Sequence, residues 1–515
     1  MAFRNQGFTV VNVFNVSNRA PKESPVPPDP PESERPVNAA LHSAIAESGL
    51  SYRALAGRIR AVATENGADV RTGAAAIAHW VKGTTPQPAT AAYLTEALSR
   101  ALGRVVSPTE IGVASRQDET PPALAQDPVA SLATLGRSDV DRRHFLATTA
   151  YSISALAAPL MPGAADAAHR GVRVREGGVV GAAEIQAVRD VTSVFNRADE
   201  LLGGSVSRSA VVEYLVTDVT SYCRGSFNDD TARRGMFGAA AELAYLAGWK
   251  AHDAGLKGLA QRYYLHAYQL AEESSGTHAA YVLRILAHQA MDTGVSEHCV
   301  DLAEAALSRA RGKVPAETES LFQLTLARAH AGERSPRPAL RALAAAERLV
   351  DQAGHDEAPR WASLGGPTEA RLTNQGGKAL AALGDLAGAE EQYRRSAACW
   401  NPSTHPRIHA LTLADLGAVQ AGRGHLEAAC ETWSTALDSM TGVRSARADT
   451  AVTDIRTHLR GYRRRGVPTA TVLDAKARQW QAAAAVRGLR RGPGDDRGFS
   501  TLSGPGTGGR PAITR

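Results

Sequence analysis

The chain is poor in the residues that β-sheets and disulfide-linked folds need. Aromatic residues make up 5% of its 515 residues, and only 4 residues are cysteines. Runs of Val, Ile, Thr and aromatic residues, which favour strands, are scarce, whereas alanine, which favours helices, is abundant. The cysteines are too widely spaced for a C-x-x-C redox motif or a zinc-ligand set, so we expect reduced, partly buried thiols in a cytoplasmic protein. They are Cys223, Cys299, Cys399 and Cys430.

Long apolar runs and catalytic signatures are also missing. No run approaches the ~20 apolar residues that cross a bilayer, so we expect no stable membrane insertion. The sequence contains no G-x-x-x-x-G-K-[ST], H-E-x-x-H or G-x-S-x-G motif. A G-x-G-x-x-G match at Gly504, Gly506 and Gly509 lacks the preceding strand and following helix of a dinucleotide site. We therefore expect no enzyme, no metal and no cofactor.

Composition divides the chain into five parts. Residues 1–37 include the proline-rich stretch "APKESPVPPDPPESERP", and residues 487–515 are rich in Gly and Pro, so both are predicted to be disordered tails. Residues 38–113 and 177–486 carry the periodicity of helices, and residues 114–176 form a linker. The predicted fold class is all-α, with a four-helix N-terminal domain followed by a helical solenoid.

Four short helices are predicted in residues 38–113. We expect Asn38, Ser51 and Thr72 to cap the first three, and the fourth helix to cover residues 89–102. Apolar residues recur every three to four positions on one face of each helix. The predicted core positions are Leu41, Ala44, Ile45, Leu55, Ile59, Val62, Leu94, Ala97, Leu98 and Ala101.

The two middle helices carry the residues of a known type of domain. "LSYRALAGRI" followed by "AIAHWVKGTTPQP" resembles the Cro/C1-type (Xre-like) helix-turn-helix DNA-binding domain. The stretch "LSRALGRVVSPTEIG" is similar to the segment after that domain in many actinobacterial regulators. The resemblance implies that residues 72–82 form the recognition helix, with Ile77 and Val81 facing the core and Trp80 at its edge. It also implies a set of DNA-facing residues: Ser51, Arg53, Arg71, Thr72, Ala75, His79, Lys82 and Thr84.

Two features of this region depart from that family. The link between the second and third helices is longer than the usual tight turn, and the third helix has no internal Gln, Asn or Arg to contact base edges. Residues 38–113 contain seven basic and five acidic side chains, a net charge of +2 in a chain of net charge +6. Such a balance permits a DNA partner without requiring one. A degenerate domain that has lost DNA binding is therefore an open alternative.

Residues 177–486 contain repeated helical hairpins. Gly255, Gly294 and Gly332 are spaced by 39 and 38 residues, and Gly384 and Gly424 by 40. A small, an aromatic and a second small residue follow the turn glycine at fixed offsets, which is similar to the tetratricopeptide repeat, although that repeat is about 34 residues long. The matching sets are Gly255, Ala260, Tyr264 and Ala267; Gly384, Ala389, Tyr393 and Ser396; and Gly424, Ala429, Trp433 and Ala436. Stacked hairpins of this type form a curved solenoid with a concave face.

That concave face is the predicted partner-binding surface. The helices containing "GWKAHDAG" and "LAHQAMD" contribute Trp249, His252, His288 and Gln289, which combine a polar tip with an apolar body. Taken singly, each is more typical of a structural residue, so the prediction concerns the group. We expect the array to bind a peptide or protein ligand.

One segment between the two helical regions points to export. "DRRHFLATTAYSISALAAPLMPGAADAA" resembles a twin-arginine signal through Arg142, Arg143, Phe145 and Leu146. Targeting signals are N-terminal, however, and here a domain precedes the segment. We interpret residues 142–160 as a helix between domains that docks on the array through its apolar positions. These are Phe145, Leu146, Ile153 and Leu156.

The order of these parts is similar to that of actinobacterial helix-turn-helix–tetratricopeptide regulators, some of which influence sporulation and antibiotic production. It predicts a cytoplasmic DNA-binding transcriptional regulator, in control of development or secondary metabolism, whose array binds a peptide or protein. The alternative is an exported or membrane-associated repeat scaffold with a degenerate N-terminal domain. Homodimerisation is compatible with both.

Overall fold

The computed structural model describes residues 38–65, 68–102, 104, 106–113, 127–140, 179–296, 298–352, 354 and 357–489. These residues are almost entirely helical, which confirms the predicted all-α class. Within them, strand pairing is limited to two parallel two-residue strands, Val179–Val180 (β1) and Ser226–Phe227 (β2). The N-terminal tail, most of the C-terminal tail and the twin-arginine segment lie outside the described residues.

Four helices surround one core in the N-terminal unit: Ala39–Glu47 (α1), Tyr52–Glu65 (α2), Ala74–Val81 (α3) and Pro88–Leu102 (α4). All of the predicted core positions are buried except Ala101, which is half-buried. Two of the predicted caps are confirmed. The Asn38 side chain accepts a hydrogen bond from the Leu41 amide (2.9 Å), and the Ser51 hydroxyl accepts one from the Ala54 amide (3.2 Å).

The predicted cap of the third helix is wrong. The residue that precedes α3 is Gly73, with an extended backbone and no side chain to cap the helix. Thr72 is only 7% exposed, and its carbonyl accepts a hydrogen bond from Arg60 Nη1 (2.5 Å). The predicted helix over residues 72–82 is thus shortened to Ala74–Val81, and the Thr72 side chain is too buried to face DNA.

The segment assigned to the linker contains a helix that was not predicted, Pro128–Val140 (α5). It packs on the C-terminal helices, and a Cβ added at Gly136 would lie 2.1 Å from Val216 Cγ1. The Asp139 carboxylate pairs with Arg208. This part of the chain therefore belongs structurally to the C-terminal array.

The C-terminal array begins with two helical segments and continues as six antiparallel hairpins. Ala182–Leu202 (α6) is followed, after a turn at Gly203, by Arg208–Tyr214 (α7), a π-helical turn Leu215–Val219 and Thr220–Cys223 (α8). The hairpins are Asp230–Asp253 (α9) with Lys257–Ser274 (α10); Gly276–Asp292 (α11) with Cys299–Ala310 (α12); Ala316–Gly332 (α13) with Pro336–Asp351 (α14); Thr368–Leu383 (α16) with Leu386–Cys399 (α17); Pro406–Gly422 (α18) with Leu426–Ser439 (α19); and Ala446–Arg464 (α20) with Pro468–Leu489 (α21). The short helix Arg360–Ser363 (α15) lies between the third and fourth hairpins. Successive hairpins pack side by side, as in a solenoid.

Most hairpin turns use the glycines that the sequence pattern identified. Positive φ values between 77° and 86° occur at Gly255, Gly294, Gly384 and Gly424. The third hairpin differs, because Gly332 is the last residue of α13 and the left-handed residue is Arg334, with a φ of 57°. The repeat spacing therefore located this turn within two residues but identified the wrong residue for the left-handed position.

A glycine within the first helix of a hairpin lets the aromatic residue of the second helix approach the backbone. A Cβ at Gly248 would lie 2.7 Å from the Tyr264 ring, and one at Gly417 would lie 2.5 Å from Trp433 Nε1. Tyr264 and Trp433 are 1% and 0% exposed. The small residues at the predicted offsets are fully buried: Ala260, Ala267, Ala389, Ser396, Ala429 and Ala436.

The array closes on itself. The first helix, α6, contacts α18 of the fifth hairpin. The Arg444 amide, just before the sixth hairpin, donates a hydrogen bond to the Leu202 carbonyl at the end of α6 (2.9 Å). The Ser445 hydroxyl donates to Asp253 at the end of α9 (2.7 Å). The first helices of the hairpins consequently surround a central cavity.

Candidate functional site

The central cavity has a volume of about 150 Å³. Its wall consists of side chains from α6, α9, α11, α16 and α18, the start of α20, and the loops around residues 364–365 and 400–405. The structure brings all four predicted partner-binding residues to this one cavity: Trp249, His252, His288 and Gln289. Three of the four also make contacts that hold the wall in place.

His288 links two hairpins as a neutral ring. Burial, together with the charges of Arg284 and Arg328, holds the pKa of His288 well below its ordinary value. Because Arg328 Nη1 can only donate, His288 Nδ1 accepts its hydrogen bond (3.2 Å), and the proton resides on Nε2. Nε2–H then donates to the Thr325 hydroxyl (2.9 Å).

Two of the other predicted residues, His252 and Gln289, each have one buried polar atom without a hydrogen-bond partner among the described residues. His252 is 6% exposed, and burial, aided by Arg447, lowers its pKa to about 4. Its Nδ1 has no hydrogen-bond partner among the described residues. Gln289 donates its amide to the Lys257 carbonyl (2.8 Å), whereas its Oε1 has no partner there. Trp249 lies under the Arg447 guanidinium, 5.3 Å from the ring centre.

The cavity also contains basic side chains that the sequence analysis did not identify. For Arg284, Arg371 and Arg447, no carboxylate among the described residues lies within the 4.0 Å of an ion pair. Arg284 Nε donates to the Leu321 carbonyl (3.2 Å), and Arg371 Nη1 donates to the Tyr281 hydroxyl (3.2 Å). Burial lowers the pKa of Arg284, which shows how little of its charge is compensated.

The acidic residues of the cavity, in contrast, either pair with basic side chains or have a raised pKa. Burial would raise the pKa of Asp292, but the positive charges of Arg328 and Lys378 outweigh it and hold that pKa well below its usual range. Burial raises the pKa of Asp415, and it raises the pKa of Glu200 to about 7. Among the basic side chains of the lining, Lys378 and Arg407 pair with carboxylates, whereas Arg284, Arg371 and Arg447 do not within the described residues.

A buried ionic cluster joins the helices where the array closes. Arg407 on α18 is 0% exposed and donates to Asp199 on α6 (2.6 Å) and to Asp253 on α9 (3.0 Å). Lys250 Nζ lies 3.4 Å from Asp199, and the Gly204 amide donates to Asp253 (2.7 Å). Burial alone would raise the pKa of Asp253, but Arg407 and Arg447 lower it below its ordinary value.

The second candidate surface lies on the N-terminal unit. Seven of the eight predicted DNA-facing residues are exposed: Ser51, Arg53, Arg71, Ala75, His79, Lys82 and Thr84. Thr72 is the exception, because its side chain is buried before the start of α3. Ala75, His79 and Lys82 follow one another at helical spacing, so they share one face at α3.

Four of the five acidic residues of this unit pair with Arg100 and Arg104, and the fifth, Asp69, is exposed between α2 and α3. Arg100 pairs with Glu65 (2.8 Å) and Glu96 (2.9 Å). Arg104 pairs with Glu47 (2.8 Å) and Glu110 (2.7 Å). Five basic residues have no such partner in the described part of the chain: Arg53, Arg58, Arg60, Arg71 and Lys82. Arg53, Arg58 and Arg60 lie on α2, and Arg71 and Lys82 lie on either side of α3, so these five exposed charges remain outside the ion pairs of the unit.

Comparison with known proteins concerns this N-terminal unit. Residues 41–114 match a family described as the SP15 N-terminal domain. No curated protein matches the chain. In the described ranges, no helix is both long and apolar enough to cross a membrane, and no group of His, Cys, Asp and Glu side chains has the arrangement of a metal site.

Proposed function

We propose that the chain is a cytoplasmic DNA-binding transcriptional regulator whose helical array senses a ligand in the central cavity. The four-helix unit acts as a Cro/C1-type helix-turn-helix domain, with α3 as its recognition helix. The tetratricopeptide-like hairpins hold the ligand. The observation that carries the proposal is a group of exposed basic residues on α2 and beside α3, Arg53, Arg71 and Lys82, that have no acidic partner among the described residues. Four of the five acidic residues of the unit pair instead with Arg100 and Arg104.

Phosphate contacts supply most of the affinity in this proposal. Arg53, Arg71 and Lys82 are exposed and have no acidic partner in the described residues. Three phosphate contacts correspond to an affinity that falls about 40-fold between 50 and 200 mM salt. Ala75 and His79 are the side chains left to discriminate bases, through a methyl contact and a hydrogen bond.

The ligand in the cavity is a small one. The cavity, with its volume of about 150 Å³, is smaller than the ~300 to 1,000 Å³ of typical drug-sized sites. Ligand binding alters DNA binding only if the ligand prefers one arrangement of the array and the N-terminal unit. The α5 helix is suited to transmit such a preference, since it is anchored to the array through Asp139 and Arg208.

A gel-shift titration of the full chain against genomic fragments at low salt tests DNA binding. Arg71→Ala with Lys82→Ala should weaken the retention of every fragment, whereas His79→Ala should change the preference among fragments. The control is Arg337→Ala with Arg341→Ala, which removes the same charge from exposed positions on α14. If the full chain retains no fragment at low salt, the proposal is wrong.

A further inference from the structure

We propose that the cavity binds a small organic anion, with a carboxylate or phosphate group attached to an apolar body that carries a hydroxyl or N–H donor. This inference rests on the proposed function only for its regulatory consequence. The chemistry of the site is argued from the cavity alone.

The anion is indicated by two guanidinium groups that share one tyrosine, that of the buried Arg284 and that of the half-buried Arg371. The Arg284 guanidinium carbon lies 5.2 Å from the centre of the Tyr281 ring, and Arg371 donates to the hydroxyl of the same residue (3.2 Å). Because the Tyr281 oxygen accepts that bond, its own O–H can donate to a third group. Two like charges held together without a counterion favour a bound anion, and guanidinium groups match carboxylate and phosphate geometry.

A cationic ligand does not fit the same lining. Asp199 is bound by Arg407 and Lys250, and Asp292 lies beside Arg328 and Lys378. These two carboxylates therefore already have cations as neighbours.

An apolar body is accommodated by the aromatic wall beside these arginines. Tyr245 and Tyr281 both line the cavity, with ring centres 6.3 Å apart in an edge-to-face arrangement. Trp361 supports Tyr281 from outside the lining, with ring centres 5.2 Å apart. Aromatic faces of this kind bind flat or aliphatic groups and leave the polar recognition to the arginines.

A hydrogen-bond donor on the ligand satisfies the remaining atom of Gln289. This residue is 3% exposed, its amide group is engaged by the Lys257 carbonyl, and its Oε1 has no partner in the described part of the chain. A buried carbonyl oxygen without a donor costs ~1 to 3 kcal/mol. A hydroxyl or N–H group of the ligand removes that cost.

Calorimetry of the full chain without DNA tests the inference with a matched pair of probes. 4-Hydroxyphenylacetate carries the anion, the ring and the donor, and 4-hydroxyphenylacetamide differs by having no charge. We expect the acid to bind at least 10-fold more tightly than the amide. Arg371→Gln should abolish this difference, and Arg341→Gln, at an exposed position on α14, should leave it unchanged.

Thermal unfolding in inorganic phosphate and in chloride at equal ionic strength provides the second measurement. Phosphate should raise the Tm of the wild type more than chloride does, and Arg371→Gln should lose that gain. The same variant should unfold at an equal or higher Tm in chloride, because it removes repulsion from Arg284. If Arg371→Gln is destabilised, its Tm in chloride falls below that of the wild type, and Arg371→Lys is then used in its place. In Arg371→Lys, the ratio of the affinity for the acid to the affinity for the amide should fall at least threefold.

Equal affinity for acid and amide, no binding of either probe, or equal Tm gains in phosphate and chloride would each overturn the inference. These outcomes are independent of DNA binding. Anion binding by a chain that retains no DNA fragment would refute the proposed function and leave the ligand class intact.

Discussion

The closure of the array depends on Arg407, and replacing it with methionine should destabilise the protein strongly. Arg407 donates to Asp199 and Asp253 in a site where all three side chains are 0% to 1% exposed. Arg407→Met keeps much of the volume but removes the group that bridges both carboxylates. Lys250 still lies 3.4 Å from Asp199, whereas Asp253 keeps the Gly204 amide and the Ser445 hydroxyl.

Removing one partner from a buried ion pair costs ~3 to 5 kcal/mol, because it leaves an uncompensated buried charge. The remaining partners of the two carboxylates place the expected loss near the lower bound, at about 3 kcal/mol. The pKa of Asp253 should also rise, since Arg407 is the largest of the charges that lower it against the effect of burial. Folded proteins typically have a free energy of unfolding of ~5 to 15 kcal/mol, so a loss of this size is readily measurable.

Urea unfolding followed by far-UV circular dichroism is the appropriate assay, with Arg341→Met as the exposed control. The transition of the array should move to lower urea, and that of the N-terminal unit, which has its own core, should not move. Asp199→Asn with Asp253→Asn should restore part of the stability of Arg407→Met. A loss below about 1 kcal/mol would fall in the range of a surface ion pair and would refute the reasoning.

Two further predictions concern packing and pH. Gly417→Ala places a Cβ 2.5 Å from Trp433 Nε1 and should lower the free energy of unfolding by about 1 to 3 kcal/mol. Gly461→Ala, in open space within α20, should raise it by about 0.5 to 1 kcal/mol. Equal Tm shifts in the two variants would contradict the argument that Gly417 is needed for the close approach of Trp433. Burial, with a smaller effect of Arg189, lowers the pKa of His278 from 6.5 to about 3. Between these two pH values the unfolded chain binds a proton at His278 that the folded chain does not bind. The free energy of unfolding therefore falls by about 1.4 kcal/mol for each pH unit from pH 6.5 down to pH 3. His278→Gln should reduce the slope of unfolding free energy against pH by one proton between pH 6 and 4, and an unchanged slope would show that His278 is not buried neutral.

Local signals in the sequence were sufficient to predict the helices and most turns. Helical periodicity identified the N-terminal core, and the spacing of the turn glycines identified the hairpins. The errors arose where two nearby residues could each occupy the same position at the end of a helix. Gly73 could precede α3 without a capping side chain, and Arg334 adopted the left-handed conformation although Gly332 lay two residues away. The α5 helix lay in a segment whose composition is that of a linker, and it is fixed by tertiary contacts with Val216 and Arg208.

The candidate site was predicted only in part, because the cavity is created by long-range closure. The choice of Trp249, His252, His288 and Gln289 used the amphipathic character of each side chain, which the helix sequence displays directly. The arginines gave no such signal, since an arginine on a helix is mostly exposed. Arg407 becomes buried only when α18 meets α6, and the pairing of Arg407 with Asp199 spans 208 residues. No short sequence window contains both partners.

Genome-wide chromatin immunoprecipitation with the tagged full chain tests the central claim most directly, because it measures DNA occupancy at every site without a chosen operator sequence. The account predicts discrete enriched fragments for the wild type and for the Arg337→Ala, Arg341→Ala control, and their loss in the Arg71→Ala, Lys82→Ala variant. Absence of enrichment in the wild type, or equal enrichment in the Arg71→Ala, Lys82→Ala variant, would contradict it.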